Sequence, residues 1–541
     1  MDEINTNHCD KPCTMTKASV HSESRRDVLL IGAAGAVSAL VAACGASSTS
    51  GGDGAGGSPA GGAPPSGAGA SHGPGGAGAG PAGAGAGPAG AGAGPAGAGA
   101  GPGGAGAGPG AGGSAAGGAG PGAGGTAGVS GGTPAGGAAG AGGSGMPYTG
   151  WKENNGVACP IMNVPTFANA VSNAKLPDPF KFINGKRITS KADWNCLRAE
   201  LSALAQACIY GPKMPPPDTL TATYSGGKMT VTMKVGSQMG NFSVTITGGG
   251  TKDKPVPVLI TCGGSSLPKM AGVAQIDMPN NTISLESKTV GTGGLVNTLY
   301  GNASAKSGSL IGWAWGLSRI IDGLELCPEA GIDLKAIAVT GCSRNGKGAL
   351  AMGAFDERVA LTLPQEGGSG GPALWRVSEA EKKAGQNIQE SGEIVGEANW
   401  QGADFKQYAN GMNAKLSADQ HTVIALCAPR AVLVIDNDID WLGPVACYGG
   451  GIAAQMVYQG LGIKDRCGVS VAANHGHCSF PSAQQKYLDA FVTRFLKRGM
   501  TDTNVDDFHG TNSKLKTFDK ATWIDWDVPT LSGSLGWDPF A

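Results

Sequence analysis

Short apolar runs typical of buried strands alternate with helical segments along residues 147–541 of this 541-residue chain. Met229–Val235 and Phe242–Thr247 come first, and their alternation of apolar and polar residues predicts an antiparallel pair. Later strands separated by helices predict βαβ units. These strands are Val256–Cys262, Ala336–Thr340, Val359–Leu363, Ala431–Asp436 and Gly468–Ala472, and the helices are Leu310–Leu326, Gly346–Phe355, Gly451–Leu461 and Ser482–Lys497. The pattern predicts an α/β protein, a three-layer αβα sandwich with a mainly parallel sheet, whose antiparallel opening fits an α/β-hydrolase fold.

Glycine is concentrated before this region. Residues 51–146 hold 45 of the 96 glycines, and after Asp53 they contain no Asp, Glu, Lys, Arg, Phe, Tyr or Trp. Such a segment cannot bury enough apolar surface to offset its ordering entropy. We therefore predict a disordered tether over 45–146, with an r.m.s. reach of roughly 50–60 Å, and one folded domain over 147–541. The formal net charge of -1 argues against a nucleic-acid partner, which would need a basic face.

Residues 1–44 predict an export signal. Arg25 and Arg26 precede the apolar run Val28–Ala43, which resembles a twin-arginine signal and is too short to span a membrane comfortably. The run ends at Cys44 in Val-Ala-Ala-Cys-Gly, which resembles a bacterial lipid-attachment motif. We expect an exported bacterial cell-envelope lipoprotein, periplasmic or at the cell surface, that touches the membrane only through this anchor. An ordinary signal peptide and a secreted protein are the alternative.

The strand Ala336–Thr340 runs into Gly-Cys-Ser-Arg-Asn-Gly, residues 341–346, which open a helix. A serine at a sharp strand-to-helix turn is raised above the sheet, where the helix N-terminus supplies N–H donors. Ser343 is therefore the candidate nucleophile. A serine that only caps a helix is the alternative interpretation.

The candidate base lies in the segment 469–480, between a strand and the last helix, where the histidine of this fold belongs in chain order. It contains His475 and His477. If His477 reaches Ser343, the cysteines that flank them, Cys478 and Cys342, come close together, and a disulfide would fix both loops. His475 is then expected to be structural or to contact substrate.

Two positions compete for the acid that orients the base. Glu366 ends the strand after the elbow helix, and a cluster of acidic residues, Asp436–Asp440, ends the next strand. Either carboxylate would stabilise an imidazolium. Position alone does not choose between them.

Several segments share one order and spacing with a known family. They are GCSRNGKGA at 341–349, PQEGGSGG at 364–371, IDWLGP at 439–444, NHGHCSFP at 474–481 and the upstream LPDPFKFINGKRITSKADWNC at 176–196. Together they resemble the glucuronoyl esterases, carbohydrate esterase family 15, over roughly 157–500. The resemblance implies an α/β-hydrolase fold, no cofactor, and hydrolysis of the ester that joins 4-O-methylglucuronic acid of glucuronoxylan to lignin alcohols.

The resemblance also assigns roles. It makes Ser343 the nucleophile, His477 the base and Glu366 the acid, and it gives Arg344 the oxyanion role through its backbone N–H and its guanidinium. Four residues fall on sugar-contacting positions: Lys347, Gln389, Glu397 and Trp441. Two pairs fall on disulfide positions: Cys342–Cys478 and Cys159–Cys196. Some bacterial relatives place the acid on the later loop, so Asp438 or Asp440 stays the alternative.

Several expectations concern ligands and partners. Ten cysteines lie in the folded region, an even number that favours disulfides in an exported domain. Six of them have no assigned partner: Cys208, Cys262, Cys327, Cys427, Cys447 and Cys467. The cysteines lack zinc-site spacing, so we expect no metal. We expect a monomer that acts on glucuronoxylan and lignin-carbohydrate esters. The alternatives are an esterase for other plant-wall esters, such as acetyl xylan or methylated uronates, and a non-catalytic carbohydrate-binding protein.

Overall fold

The computed structural model describes residues 152–156, 158–508 and 518–541, together with the backbone of Cys13–Thr16. The predicted tether, Cys44 and the rest of the leader lie outside the described residues. The strands are β1 Cys13–Thr16, β2 Thr219–Ser225, β3 Lys228–Val235, β4 Gln238–Thr247, β5 Val256–Cys262, β6 Ala274–Met278, β7 Ile332–Cys342, β8 Leu361–Gln365, β9 Ala431–Asn437, β10 Cys467–Ala472 and β11 Asp506–Phe508.

The helices, in chain order, are α1 Trp194–Ala205, α2 Asn280–Ile283, α3 Gly294–Tyr300, α4 Ser309–Leu326, α5 Arg344–Phe355, α6 Trp375–Lys383, α7 Ser391–Glu397, α8 Gln420–Ala425, α9 Pro444–Gly460, α10 Ser482–Phe491 and α11 Lys520–Trp523. Single π-helical turns, Gln206–Tyr210 and Val492–Leu496, continue α1 and α10. Within the part of the chain that the structure describes, no helix combines the length and hydrophobicity needed to cross a bilayer.

The strands form one sheet in the order β1-β2-β3-β4-β6-β5-β7-β8-β9-β10-β11. Strands β1 to β4 pair antiparallel, and β4 pairs antiparallel with β6. From β6 to β11 every pairing is parallel. The carboxyl ends of these parallel strands therefore lie at one edge of the sheet, where open α/β sheets bind their ligands.

Helices cover both faces of the parallel part because its strands are apolar on both sides. In β7, Ile337 and Val339 point into the core that α4, α5 and α9 complete, whereas Ala336 and Ala338 point into the core that α10 completes. This is the predicted three-layer sandwich and the predicted antiparallel opening. Every predicted strand and helix is present; β5 has the predicted bounds and the others are shifted. For example, the helix predicted over Gly451–Leu461 begins earlier, at Pro444 in α9, because proline suits the first helical position.

The cysteines divide into two groups. Cys159–Cys196 and Cys342–Cys478 are disulfides, as the resemblance implied. Five others are buried thiols that form no disulfide with any cysteine that the structure describes: Cys208, Cys262, Cys427, Cys447 and Cys467. Cys327 is buried as well. The expectation that an even number of cysteines implies pairing is therefore wrong for those five, because buried cysteines also serve as small apolar core residues.

Candidate active site

The elbow between β7 and α5 presents Ser343 at the carboxyl edge of the sheet. Its φ of 60° and ψ of -127° are strained for a residue with a side chain, as such turns require. Its N–H donates to the carbonyl of Gln365 at 3.1 Å. A Cβ at Gly346 would lie 2.2 Å from that same carbonyl oxygen, so only glycine lets α5 approach β8 this closely.

His477 and Glu366 form a short polar contact beside the elbow. His477 Nδ1 lies 2.8 Å from Glu366 Oε2, and the backbone N–H of Cys478 donates to the same oxygen at 2.8 Å. Glu366 itself is fully buried, and its N–H donates to the carbonyl of Ile435 on β9 at 2.8 Å. The carboxylate is thus fixed in position, and its contact with Nδ1 leaves Nε2 of His477 as the ring nitrogen that can take a proton from another group.

The Cys342–Cys478 disulfide joins the elbow to the histidine loop, with 5.8 Å between the two Cα atoms. Both sulfurs, a Glu366 oxygen and a His477 ring nitrogen lie within 4.8 Å of one another. Because the sulfurs are bonded to each other, they are not available as thiolate ligands for a metal ion. The cluster serves to hold the nucleophile loop and the base loop together.

His477 Nε2, the atom that would receive the serine proton, is buried and has no hydrogen-bond partner among the described residues. The hydrogen bond from Ser343 is therefore not formed in this structure. Such bonds are often long without substrate and tighten in the reacting complex. The ring of Trp441 packs edge-on against the His477 ring, with 4.9 Å between centroids, and limits its rotation.

Arg344, the candidate oxyanion donor, directly follows Ser343. Arg344 is the first residue of α5, so its backbone N–H has no acceptor within the helix. Its guanidinium, however, is 56% exposed and pairs with Glu286 at 2.8 Å. Solvent therefore surrounds this cation and weakens its interaction with a nearby charge.

Lys347 lies one turn after Ser343 on α5 and is buried. Its ammonium donates to the carbonyls of Gly367 and Ser369 at 2.7 and 2.6 Å and lies 5.1 Å from the centre of the Trp400 ring. Burial lowers its pKa to about 8, although the negative charge of Glu397 opposes that shift. Lys347 is therefore not a solvated surface lysine.

The other sugar-contacting candidates are linked to each other. Gln389 donates through its side chain to Glu397 at 3.3 Å and through its backbone N–H to the carbonyl of Trp441 at 3.1 Å. Trp441 is half-buried and Glu397 is exposed. Since Trp441 also contacts His477, this group of residues borders the triad on one side.

Comparison with known proteins identifies the family of the chain. A family model described as glucuronyl esterase of fungi matches residues 231–462. The 4-O-methyl-glucuronoyl methylesterase of Hypocrea jecorina is 46% identical over 364 residues, which are 67% of this chain and 77% of the relative. The protein of the same name from Neurospora crassa is 41% identical over 372 residues, 68% of this chain and 92% of the relative. The chain belongs to the glucuronoyl esterase family.

Solved glucuronoyl esterases share the fold. The catalytic domain from Hypocrea jecorina aligns with a TM-score of 0.64 and 44% identity, over 69% of this chain and 100% of that domain. A serine-to-alanine mutant from Sporotrichum thermophile, in complex with methyl 4-O-methyl-β-D-glucopyranuronate, aligns with a TM-score of 0.64 and 37% identity, over 69% and 100%. The α/β-hydrolase fold predicted from the sequence is confirmed.

Sequence reasoning missed several residues of this glucuronoyl esterase site. Glu286, which pairs with Arg344, and Trp400, which faces Lys347, lie in segments without a recognisable motif. Asn437 and Asp436 end β9 inside the acidic cluster that the sequence singled out. Asn437 contacts the candidate acid, with Nδ2 3.3 Å from Glu366 Oε2. Asp436 is fully buried, and burial raises its pKa to about 7.

Proposed function

We propose that this glucuronoyl esterase cleaves the ester between 4-O-methyl-D-glucuronic acid of glucuronoxylan and lignin alcohols, as well as simple alkyl and benzyl glucuronate esters. Family membership makes it a carboxylic ester hydrolase. One observation carries the proposal: the 2.8 Å contact between His477 and buried Glu366, linked by a disulfide to the strained turn of Ser343. The relatives' names, 4-O-methyl-glucuronoyl methylesterase, supply the substrate class.

The proposed reaction is a two-step acyl transfer. Ser343 Oγ attacks the uronoyl carbonyl while its proton passes to His477 Nε2. Glu366 keeps its charge and stabilises the imidazolium through Nδ1–H. The alcohol leaves with the proton from Nε2, which gives a glucuronoyl ester on Ser343. A water molecule then attacks this ester and gives a proton to His477 Nε2. The acid product leaves as this proton passes to Ser343 Oγ, which restores the serine.

The first turn of α5 is proposed to hold the oxyanion. The backbone N–H of Arg344 provides a donor that needs no reorganisation during the reaction. Its guanidinium adds a positive charge, whose interaction with the oxyanion is weakened by solvent.

The contact of 2.8 Å between His477 Nδ1 and Glu366 Oε2 supports Glu366 as the acid rather than Asp438 or Asp440.

We propose that Lys347, Gln389, Glu397 and Trp441 bind the uronate. Lys347 donates to two carbonyls and keeps a third N–H for a substrate hydroxyl. Gln389 and Glu397 offer a donor and an acceptor for the remaining hydroxyls, and Trp441 offers a flat apolar face.

The proposed organisation of the whole chain is an export signal over 1–44 with lipid attachment at Cys44, a tether over 45–146 and a monomeric catalytic domain over 147–541. The two disulfides support export, because disulfides persist outside reducing compartments. The relatives named above are fungal and give no support to a bacterial envelope. Cleavage before Cys44 would remove β1 and leave β2 at the sheet edge.

The lipid anchor is tested by labelling the protein with palmitate in cells. Loss of the label in Cys44→Ala would support the anchor, and an unlabelled parent protein would exclude it.

The activity is tested by comparing turnover of benzyl 4-O-methyl-glucuronate with that of an acetylated xylan. We expect hydrolysis of the glucuronate ester, nearly complete loss in Ser343→Ala and Glu366→Gln, and near-parental activity in the matched control Asp440→Asn. Faster turnover of the acetyl ester would favour an esterase for other wall esters. Full activity in Ser343→Ala would exclude this mechanism.

A further inference from the structure

The buried carboxylate of Glu366 faces two histidines, of which the mechanism uses one. His477 Nδ1 lies 2.8 Å from Oε2, and His475 Nδ1 lies 3.8 Å from Oε1. The side chain of His475 is only 7% exposed. If both ring nitrogens of His475 carried protons, the ring would therefore place a second positive charge against the carboxylate that has to stabilise the His477 imidazolium.

The side-chain amide of Asn437, at the end of β9, lies between these groups. Its Nδ2 is 3.3 Å from Glu366 Oε2, 3.2 Å from His475 Nδ1 and 3.2 Å from the His475 carbonyl oxygen. Its Oδ1 is buried and receives no hydrogen bond from the described residues. The nitrogen end of the amide thus faces acceptors, and an N–H directed at His475 Nδ1 requires a lone pair there. A protonated Nδ1 has none.

We propose that Asn437 is a positioning residue of the triad, an inference that rests on the proposed function. Its amide donates to His475 Nδ1 and so keeps this nitrogen without a proton. His477 is then the one histidine of the two whose positive charge Glu366 stabilises. The same amide, together with the N–H of Cys478, fixes the carboxylate oxygen that His477 contacts. Without Asn437, the lone pair of His475 Nδ1 is open to a second ring proton, and a charged His475 would compete with His477 for Glu366.

Other ionisable groups near this cluster set the pH range of a test. Asp436 precedes Asn437 on β9 and interacts electrostatically with Glu366 and His477; burial raises its pKa to about 7. Lys347 on α5 interacts with Asp436, and burial lowers the pKa of this lysine to about 8. Asp438 directly follows Asn437, after the end of β9. Below about pH 6, Asp436 is mainly uncharged and Lys347 charged, so the acid side of the activity profile reports mainly on the histidines.

The test compares the parent enzyme with Asn437→Ala and with the double variant Asn437→Ala/His475→Gln from pH 4 to 9. Two rates are measured: kcat/KM on benzyl glucuronate and covalent labelling of Ser343 by a fluorophosphonate. Labelling needs the serine and the histidine but no uronate. A parent enzyme that is labelled without hydrolysing the glucuronate would refute the proposed substrate, and the labelling profiles would still decide the role of Asn437.

The parent should lose activity on the acid side with one proton, a slope of about 1 in the logarithmic plot. Asn437→Ala should fall at least about 10-fold further below pH 6, with a slope approaching 2, and come within about 3-fold of the parent at pH 8. The double variant should return to a slope of about 1 and regain most of the loss, because no second imidazole remains.

A pH-independent loss in Asn437→Ala, an unchanged profile, or failure of the second substitution to restore the slope would overturn the proposal. If Asn437→Ala does not fold, Asn437→Asp tests the same point, since a carboxylate favours a protonated His475 and should also steepen the profile. Asn413→Ala removes a buried amide that donates to the carbonyl of Trp375. This matched control should lower the melting temperature and leave the slope unchanged.

Discussion

Removal of the Cys342–Cys478 disulfide should lower both stability and catalysis, and the second disulfide provides a matched control for stability alone. The cysteines are 136 residues apart in this pair and 37 apart in Cys159–Cys196. Loop-closure entropy then gives stabilisations of about 5 and about 4 kcal/mol. For a domain of roughly 390 residues, with an unfolding entropy of about 0.8 kcal/mol per kelvin, these correspond to melting temperatures lower by about 6 and about 5 °C.

The catalytic effects should differ much more. Cys342 directly precedes Ser343, and Cys478 directly follows His477. The backbone N–H of Cys478 also donates to Glu366. Loss of the disulfide between them therefore frees the loops of both reacting groups. A displacement of about 1 Å costs up to ~10²-fold in rate. We expect the alanine double variant at Cys342 and Cys478 to lose about that factor in kcat, whereas the variant at Cys159 and Cys196 keeps the parental kcat.

The assay is turnover of benzyl glucuronate at 20 °C, together with thermal unfolding followed by circular dichroism. Equal kcat values in the two variants would refute the reasoning, whether both were high or both were low. Two high kcat values would show that the disulfide contributes to folding alone. Two low values would show that the loss of activity follows from lower stability and not from the loops that this disulfide joins.

Three further predictions follow from the surroundings of the site. Lys347→Met should raise KM about 10-fold at pH 6 and abolish a rise in the parental KM above pH 8, where the lysine loses its charge; a parental KM that is flat with pH would contradict this. Burial raises the pKa of Asp436 to about 7 from its ordinary 3.8, so the folded state holds a proton that the unfolded chain releases between about pH 4 and 7, and stability falls as pH rises through that window. Asp436→Asn should therefore gain up to roughly 4 kcal/mol relative to the parent between pH 4 and 8, measured by denaturant unfolding; an equal pH dependence in both proteins would show that the carboxyl is not perturbed. Glu286→Gln should lower kcat about 10-fold with little change in KM, because Arg344 loses the partner that orients it, and an unchanged kcat would exclude that role.

The sheet could be predicted where its strands are continuous apolar runs. The segments that became β5, β7, β8, β9 and β10 are buried on both faces and stand out in the sequence. Strand β6, Ala274–Met278, was not predicted because it is short and has Gln275 and Asp277 among its five residues. Strand β2, Thr219–Ser225, carries threonines on a half-exposed face, which weakens the apolar signal.

Some residues of the site could be predicted from neighbouring sequence, whereas others depend on how distant strands pack. The elbow at Ser343 is local, because a strand, a tight turn and a helix start follow directly in sequence. The choice between Glu366 and the Asp436–Asp440 cluster is not local, since β8 and β9 are neighbours that end at the same sheet edge. Only the direction of each side chain decides which carboxylate meets His477. The resemblance named Glu366, but no residue pattern indicated that Asn437 would contact it.

The most direct measurement of the central claim is mass spectrometry of the enzyme quenched in acid within milliseconds of mixing with benzyl 4-O-methyl-glucuronate. We predict one added 4-O-methylglucuronoyl group on the peptide that contains Ser343, decaying as product forms, and no such adduct in Ser343→Ala. Parental turnover by Ser343→Ala, or an adduct on another residue, would contradict the assignment of the nucleophile.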